Sequence, residues 1–318
     1  MSNVIINYPA SIINLFFMSV AYIFPGQGSQ YVGMGKDLCE QFPEAKKYFD
    51  EADNALGFSL SSICFNGPEE ELKQTKNTQP AIFLHSVALW NVLKPADASM
   101  VAGHSLGEYS ALVAAGAISF TDAIKLVRLR GELMQKAGEE NPGTMAAIVG
   151  LDPAVVTEVC KIASAAGIVQ PANFNSPGQI VISGSVGGVR KAMEIAKERG
   201  AKLVKELVVS GAFHSPLMQS AKDALKTALD ATTINEAKIP VYANVTAQPV
   251  QKADEIRKLL FEQVTSPVRW EETVLNMSAA GAVKFIEIGP GKVLQGLVKR
   301  TVATAETTGI DKASDVKK

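Results

Sequence analysis

Cysteine is scarce: the 318 residues hold only Cys39, Cys64 and Cys160. Their wide separation offers neither the short spacing of a metal site nor a disulfide framework, and three such thiols fit a reducing cytoplasm. Histidine is equally scarce. Chemistry that needs an imidazole can draw only on His85, His104 and His214. A surplus of charge is lacking too, with 31 Lys and Arg against 32 Asp and Glu. That balance supplies no field for a nucleic acid or an anionic membrane surface. The first 17 residues, "MSNVIINYPASIINLFF", carry no Lys or Arg. The basic start of a secretory signal is therefore missing, and no apolar run there reaches the roughly 18 residues of a membrane span. We read residues 1–17 as a leader outside the fold, left by an upstream start or an added segment.

What is present is an alternation of short apolar runs and helical stretches. "VAYIF" and "SMVAGHS" read as buried strands, and the segments from about 35 to 94 and 105 to 137 read as helices. This order predicts a parallel α/β sheet. Near residue 140 the texture changes. "TMAAIVG" reads as a strand and "DPAVVTEVCKIAS" as a helix. "QPANFNSPGQIVISGS" reads as a hairpin with a Pro-Gly turn, followed by the helix "VGGVRKAMEIAKERG" and the strand "AKLVKELVVS". The order β-α-β-β-α-β is the ferredoxin-like pattern. The expected organisation is a large α/β catalytic domain over 18–138 and 210–305, an inserted ferredoxin-like (βαββαβ) subdomain over 139–209, and a frayed polar tail over 306–318. No repeats interrupt it.

One pentapeptide, "GHSLG" around Ser105, fits the G-x-S-x-G nucleophile elbow. A strand-like run precedes it and a helical run follows it, which is the setting that elbow requires. Together with the parallel sheet, it predicts an α/β-hydrolase-like large domain. A serine before an apolar-periodic run is equally an ordinary helix N-cap. A nucleophilic serine also needs a base. His104 is its chain neighbour, and adjacent side chains usually diverge. His85 lies in the apolar helix "NTQPAIFLHSVALW" and reads as a core histidine. His214, in "GAFHSPLM" after a strand-like run, is the better base, because sites in open α/β sheets form at strand ends. A hydrolase triad would add an acid between Ser105 and His214 in chain order. No Asp stands in an evident post-strand loop there apart from Asp152 in the insert. A phosphate loop is excluded, since Met34 stands where its lysine must be, and Tyr31 stands where a dinucleotide fingerprint needs its third glycine.

Eight stretches then occur in one order: "FPGQGSQ" (24–30), "GHSLGEYSAL" (103–112), "VRLRGELMQ" (127–135), "PANFNSPGQIVISG" (171–184), "GAFHSPLM" (211–218), "ANVTA" (243–247), "SPVRW" (266–270) and "EIGPGKVL" (287–294). With them the chain, from about Met18 to about Arg300, resembles the malonyl-CoA:acyl carrier protein transacylases of bacterial fatty-acid synthesis. The resemblance implies a Ser105–His214 dyad in which a carbonyl of Gln263, most readily the main-chain one, accepts from His214 Nδ1. It implies oxyanion donors at the backbone N–H groups of Gln27 and Leu106. It implies a substrate-lining place for His104, and a malonyl-selective one for Phe213, whose ring would crowd an α-methyl branch. The implied substrates are malonyl-CoA and phosphopantetheinylated acyl carrier protein. Neither metal nor other cofactor is expected, and the protein is expected to be a cytoplasmic monomer that engages its carrier transiently.

A malonyl group carries a carboxylate, which arginine binds bidentately. "LVRLRGEL" offers Arg128 and Arg130, on roughly opposite helix faces. About ten residues up one helix from Ser105 and ten down the next, each about 15 Å long, bring both near the level of the serine. Helix geometry therefore does not choose between them. The resemblance assigns Arg130, before Gly131, and leaves Arg128 as a solvated helix arginine. Three rival readings are a thioesterase or esterase, a non-catalytic partner-binding domain of the same fold, and an acyltransferase domain of a polyketide synthase.

Overall fold

Ser19–Phe24 is a short apolar run followed by Pro25, so it extends rather than coils, and it becomes the central strand of the larger sheet. The computed structural model describes residues 19–316; the leader over 1–17 lies outside the described residues. Ten strands are described: β1 (Ser19–Phe24), β2 (Ala98–Gly103), β3 (Gly143–Val149), β4 (Val169–Ser176), β5 (Gln179–Ser185), β6 (Leu203–Glu206), β7 (Val241–Tyr242), β8 (Pro249–Val250), β9 (Ala282–Ile288) and β10 (Glu306–Ile310).

The larger sheet has the order β10-β9-β1-β2-β7-β8. Its pairings are parallel except the β7–β8 ribbon at one edge. The last four residues of both β1 and β2 are buried, as expected for parallel strands covered on both faces. The helix Thr75–Leu93 is buried along nearly its whole length and packs against the helix Phe120–Glu140. A helix apolar on all sides belongs inside the molecule. Here it carries a polar first turn, Thr75 to Gln79, inward with it.

The smaller sheet, β4-β5-β3-β6, is antiparallel. With the helices Pro153–Ala163 and Val186–Glu198 it follows the β-α-β-β-α-β order. Those helices bury Val156, Val159, Val189 and Ala192 against Ile148, Ile180 and Ile182 of the sheet. β4 is tied to the segment before the helix Trp270–Ala279, where Phe174 N–H donates to Val268 O at 2.9 Å and Val268 N–H to Ala172 O at 2.8 Å. No helix among the described residues is long and apolar enough to cross a membrane.

Two expectations are corrected. The segment from 306 is not a frayed tail: Glu306–Ile310 is β10, in parallel register on β9, and Ala313–Val316 is a helical turn. An edge strand is half-buried and needs no apolar run, so "ETTGI" concealed it. Asp311 anchors the segment, accepting from Tyr31 O–H at 2.9 Å and Gly291 N–H at 3.3 Å, while its carbonyl bonds His85 Nε2 at 2.8 Å. Second, the strand expected over 201–210 stops at Glu206, and residues 207–214 leave the sheet as an irregular approach to His214.

Asp311→Ala is expected to lower stability by about 1–3 kcal/mol through the two lost hydrogen bonds, a fall of several degrees in melting temperature. An unchanged melting temperature in calorimetry would show that the C-terminal segment docks without this anchor.

Candidate active site

β1 and β2 run side by side, with Phe24 level with Gly103, and both chains leave the sheet at the same end. β1 continues into Gly26–Gln27 and β2 into His104–Ser105. The helix Gly107–Ala114 then folds back over the strand at backbone contact. A Cβ on Gly103 would lie 1.9 Å from the Gly107 main chain, and one on Gly107 would lie 2.1 Å from Phe24 O. Only glycine fits at either place. The turn between them forces Ser105 to φ +50°, where a side chain is uncommon. His214 is held similarly, at φ +57°. Such backbone costs on the order of 1 kcal/mol or more per residue and persists only where the surroundings over-determine it.

Those surroundings exclude an ordinary cap and show what the serine contacts instead. No side chain caps the helix Gly107–Ala114. Ser105 Oγ instead lies 2.8 Å from His214 Nε2. His214 Nδ1 lies 3.0 Å from Gln263 O and 3.1 Å from Ser266 O. Carbonyls only accept, so Nδ1 carries the hydrogen and Nε2 offers its lone pair to the serine hydroxyl. The ring is 3% exposed. Burial, then the nearby Arg130 charge, push its pKa down to about 3, against the opposing pull of the Gln263 and Ser266 carbonyls. His214 is therefore a neutral acceptor at ordinary pH, and among the described residues no acid hydrogen-bonds its ring.

Arg130 completes the centre. Its side chain is among the largest fully buried ones. Nη1 donates to Gln79 Oε1 at 2.6 Å, and Nη2 donates to Gln263 Oε1 at 3.0 Å and to Ser105 Oγ at 3.2 Å. The guanidinium stands 5.6 Å from the centre of the Tyr109 ring. Among the described residues these acceptors are all neutral, and Nε has none. Burial pulls the pKa of the guanidinium down from its usual range. Arg128 faces away from the serine, as its placement two residues earlier requires. It is not freely solvated, however, and that expectation is corrected. Its side chain is 18% exposed, and it donates to Lys76 O at 3.0 Å, Asn77 Oδ1 at 2.6 Å and Glu132 Oε1 at 2.6 Å. It ties the polar first turn of the helix Thr75–Leu93 to the helix that carries Arg130.

A cavity of about 230 Å³ opens onto this centre. Gln27, Leu106, His104 and Phe213 line it together with Ser105 and His214. No described atom accepts from the N–H of Gln27 or Leu106. Both donors are thus available at the point where β1, β2 and the elbow meet. His104 turns away from the serine, and its Nε2–H donates to Asn175 Oδ1 at 2.9 Å. Burial lowers its pKa. Phe213 is 6% exposed in the cavity wall. His85 lies elsewhere, on Asp311. No group of three or more His, Cys, Asp or Glu among the described residues could hold a metal ion.

Gln79, Glu108, Asn175, Asn244 and Ser266 were missed by the sequence reading. Asn244 Oδ1 accepts from Ser105 N–H at 2.6 Å, while its Nδ2 donates to Gly103 O at 2.7 Å. A faint signal existed for one of them. Glu108 is the one charged residue in the helix Gly107–Ala114, where burial without a purpose is costly.

A neutral histidine beside an elbow serine, two free N–H groups and a buried cation, set at the strand ends of an α/β sheet, define an acyl-transferring enzyme of the serine–histidine kind. The acyl transferase domain family matches residues 21–317. The chain belongs to that family, within its branch of malonyl CoA-acyl carrier protein transacylases. The transacylase of Bacillus subtilis (strain 168) is 50% identical over 294 residues, covering 92% of this chain and 93% of the relative. An acyl carrier protein S-malonyltransferase from Vibrio cholerae is 46% identical with a TM-score of 0.91, covering 94% of this chain and 99% of that one. A malonyl-transacylase solved in complex with its type II PKS acyl-carrier protein is 44% identical with a TM-score of 0.91, covering 94% and 98%.

The Arg130 charge disfavours protonated His214. In Arg130→Ala the His214 pKa should therefore rise, and activity should be lost at a higher pH on acidification than in the unaltered enzyme. The measurement is the pH dependence of acyl-enzyme formation from acetyl-CoA, a thioester without a carboxylate. An acid limb that stays in place, or moves to lower pH, contradicts the assigned coupling.

Proposed function

We propose that this enzyme moves a malonyl group from malonyl-CoA to the phosphopantetheine thiol of an acyl carrier protein, through a seryl-malonyl intermediate, and so supplies fatty-acid chain elongation. The observation that carries this reading is Arg130, a buried guanidinium 3.2 Å from Ser105 Oγ whose acceptors are all neutral. A buried charge that no carboxylate contacts directly is costly; Glu108, close enough to interact with it, hydrogen-bonds Asn244 and Gln263 instead. An acyl group that brings its own carboxylate supplies the counter-charge at the reacting serine. Its carboxylate would displace one of the contacts on Nη2.

In the first half-reaction His214 Nε2 takes the Ser105 proton as Oγ attacks the thioester carbonyl. The carbonyl oxygen becomes an oxyanion, which the N–H groups of Gln27 and Leu106 would bind; such donors are worth several kcal/mol. The intermediate collapses, the C–S bond breaks, and CoA leaves with the proton from His214. In the second half-reaction the carrier thiol gives its proton to His214 and attacks the seryl ester. The C–O bond then breaks, and Ser105 recovers the proton. The two main-chain carbonyls on Nδ1 keep the same tautomer throughout. These steps call on neither a metal nor a redox cofactor. We further propose a monomer, and a reducing cytoplasm, the latter reading supported by three cysteines that are all free. Phe213 in the cavity wall would crowd an α-methyl branch and favour malonyl over methylmalonyl.

Incubation with malonyl-CoA and no acceptor is expected to add one malonyl mass to the intact protein, localised to Ser105 and absent from Ser105→Ala. An unmodified wild-type chain overturns the covalent route. Arg130→Ala should lose malonyl transfer by roughly a hundredfold, from two charge-assisted bonds at about 1.4 kcal/mol per tenfold, while acetyl transfer holds or rises. Arg128→Ala should keep the malonyl-to-acetyl ratio of kcat/KM but melt at a lower temperature. A ratio that collapses in Arg128→Ala and survives in Arg130→Ala assigns the carboxylate to the wrong arginine.

A further inference from the structure

Glu108 is a buried carboxyl group that neither half-reaction uses. It lies three residues after Ser105 on the helix Gly107–Ala114 and is 2% exposed. Its Oε2 accepts from Asn244 N–H at 2.9 Å and from Gln263 Nε2 at 2.8 Å. These two residues are the ones that hold the active centre. Asn244 fixes the strained main chain of Ser105. Gln263 touches both His214, through its main-chain carbonyl, and Arg130, through its side chain.

A glutamine amide can sit either way round, with oxygen and nitrogen exchanged. The oxygen of Glu108 settles the choice at Gln263. An acceptor there requires the NH2 group to face it, so Gln263 Oε1 must face Arg130 Nη2, at 3.0 Å. The second hydrogen of the amide goes to Ser105 O at 3.1 Å. Inversion would set NH2 against the guanidinium, donor against donor, and would leave Oε1 facing the oxygens of Glu108 and Ser105. Burial pushes the Glu108 carboxyl up to about 7, opposed by its bonds to Asn244 and Gln263 and by Arg130. Even when protonated it keeps one accepting oxygen for the two donors.

We infer that Glu108 is a positioning residue for substrate selection: its accepting oxygen sets the Gln263 amide, the amide aims Arg130, and Glu108 so governs the preference for carboxylate-bearing acyl groups without touching them. The inference rests on the assignment of Arg130 as the carboxylate-binding group.

The test compares kcat/KM for malonyl-CoA and acetyl-CoA in Glu108→Gln and Glu108→Met, alone and combined with Arg130→Ala. Glutamine keeps an accepting oxygen in place, whereas methionine keeps the length and removes it. Glu108→Gln should hold the malonyl-to-acetyl ratio within about threefold of wild type, and Glu108→Met should lower it about tenfold or more, chiefly through the malonyl-CoA KM. In the Arg130→Ala background Glu108→Met should lower the ratio no further, as expected for residues acting along one path. Equal losses for both thioesters would mean a merely structural role and overturn the inference. An equal drop in ratio for Glu108→Gln and Glu108→Met would overturn it too, since charge and not the oxygen would then matter. Should Glu108→Met fail to fold, Gln263→Met cuts the same path while keeping the main-chain carbonyl that His214 uses. The ratio must fall there as well, and an unchanged ratio overturns the inference. Arg130→Ala alone separates the two claims. An intact ratio there overturns the substrate reading and the inference with it. A collapsed ratio there, beside an intact one in Glu108→Met, overturns the inference alone.

Discussion

The buried guanidinium of Arg130 is the charge around which the site is arranged. Removing a cation from water is costly unless its donors are met, and here amide and hydroxyl oxygens meet those of Nη1 and Nη2. Each acceptor comes from a different element: Gln79 from the long buried helix, Gln263 from the end of the helix Ala253–Gln263, and Ser105 from the elbow. The cation therefore draws three separate segments to one point. Its direct partners are all neutral, and this favours an acyl group that brings a carboxylate into contact with it.

The same charge shapes the base. Arg130 and burial both disfavour an imidazolium at His214, while two main-chain carbonyls hold its Nδ1–H. An aspartate behind the ring would bind the imidazolium more strongly, but it would also add an anion close to the Arg130 pocket. Carbonyl dipoles orient the ring without adding a further anion beside Arg130. Nucleophile and carboxylate site are in this way compatible within one small cavity.

Backbone geometry makes the arrangement rigid. The elbow helix touches β2 and the end of β1 without intervening side chains, and both Ser105 and His214 sit at positive φ. Asn244 bonds both Ser105 N–H and Gly103 O, spanning the turn with one side chain. Motion of any one segment would break several short hydrogen bonds at once. The serine and its base are therefore fixed by main-chain packing and by hydrogen bonds from several elements.

How much of this was legible in the chain follows from how local each feature is. Strand, tight turn and helix around Ser105 are written in consecutive residues, because the two glycines and the apolar run act within one turn of the chain. The β-α-β-β-α-β order of the insert is legible for the same reason. His214 stood out because only three histidines exist. The C-terminal strand was not legible, since "ETTGI" becomes a strand only when β9 offers its edge. Nor could the chain choose between Arg128 and Arg130. Two residues on a helix differ by about 200° in direction, and the face that turns inward depends on the partner helix. Glu108, Gln263 and Asn244 form one network although more than a hundred residues separate Glu108 from the other two. Contacts of that range leave no periodicity and no spacing in the sequence. By itself the sequence determined most of the elements and the strand, tight turn and helix around Ser105, whose causes are local; tertiary packing alone decided which charged and amide side chains are buried together, because that depends on which faces meet.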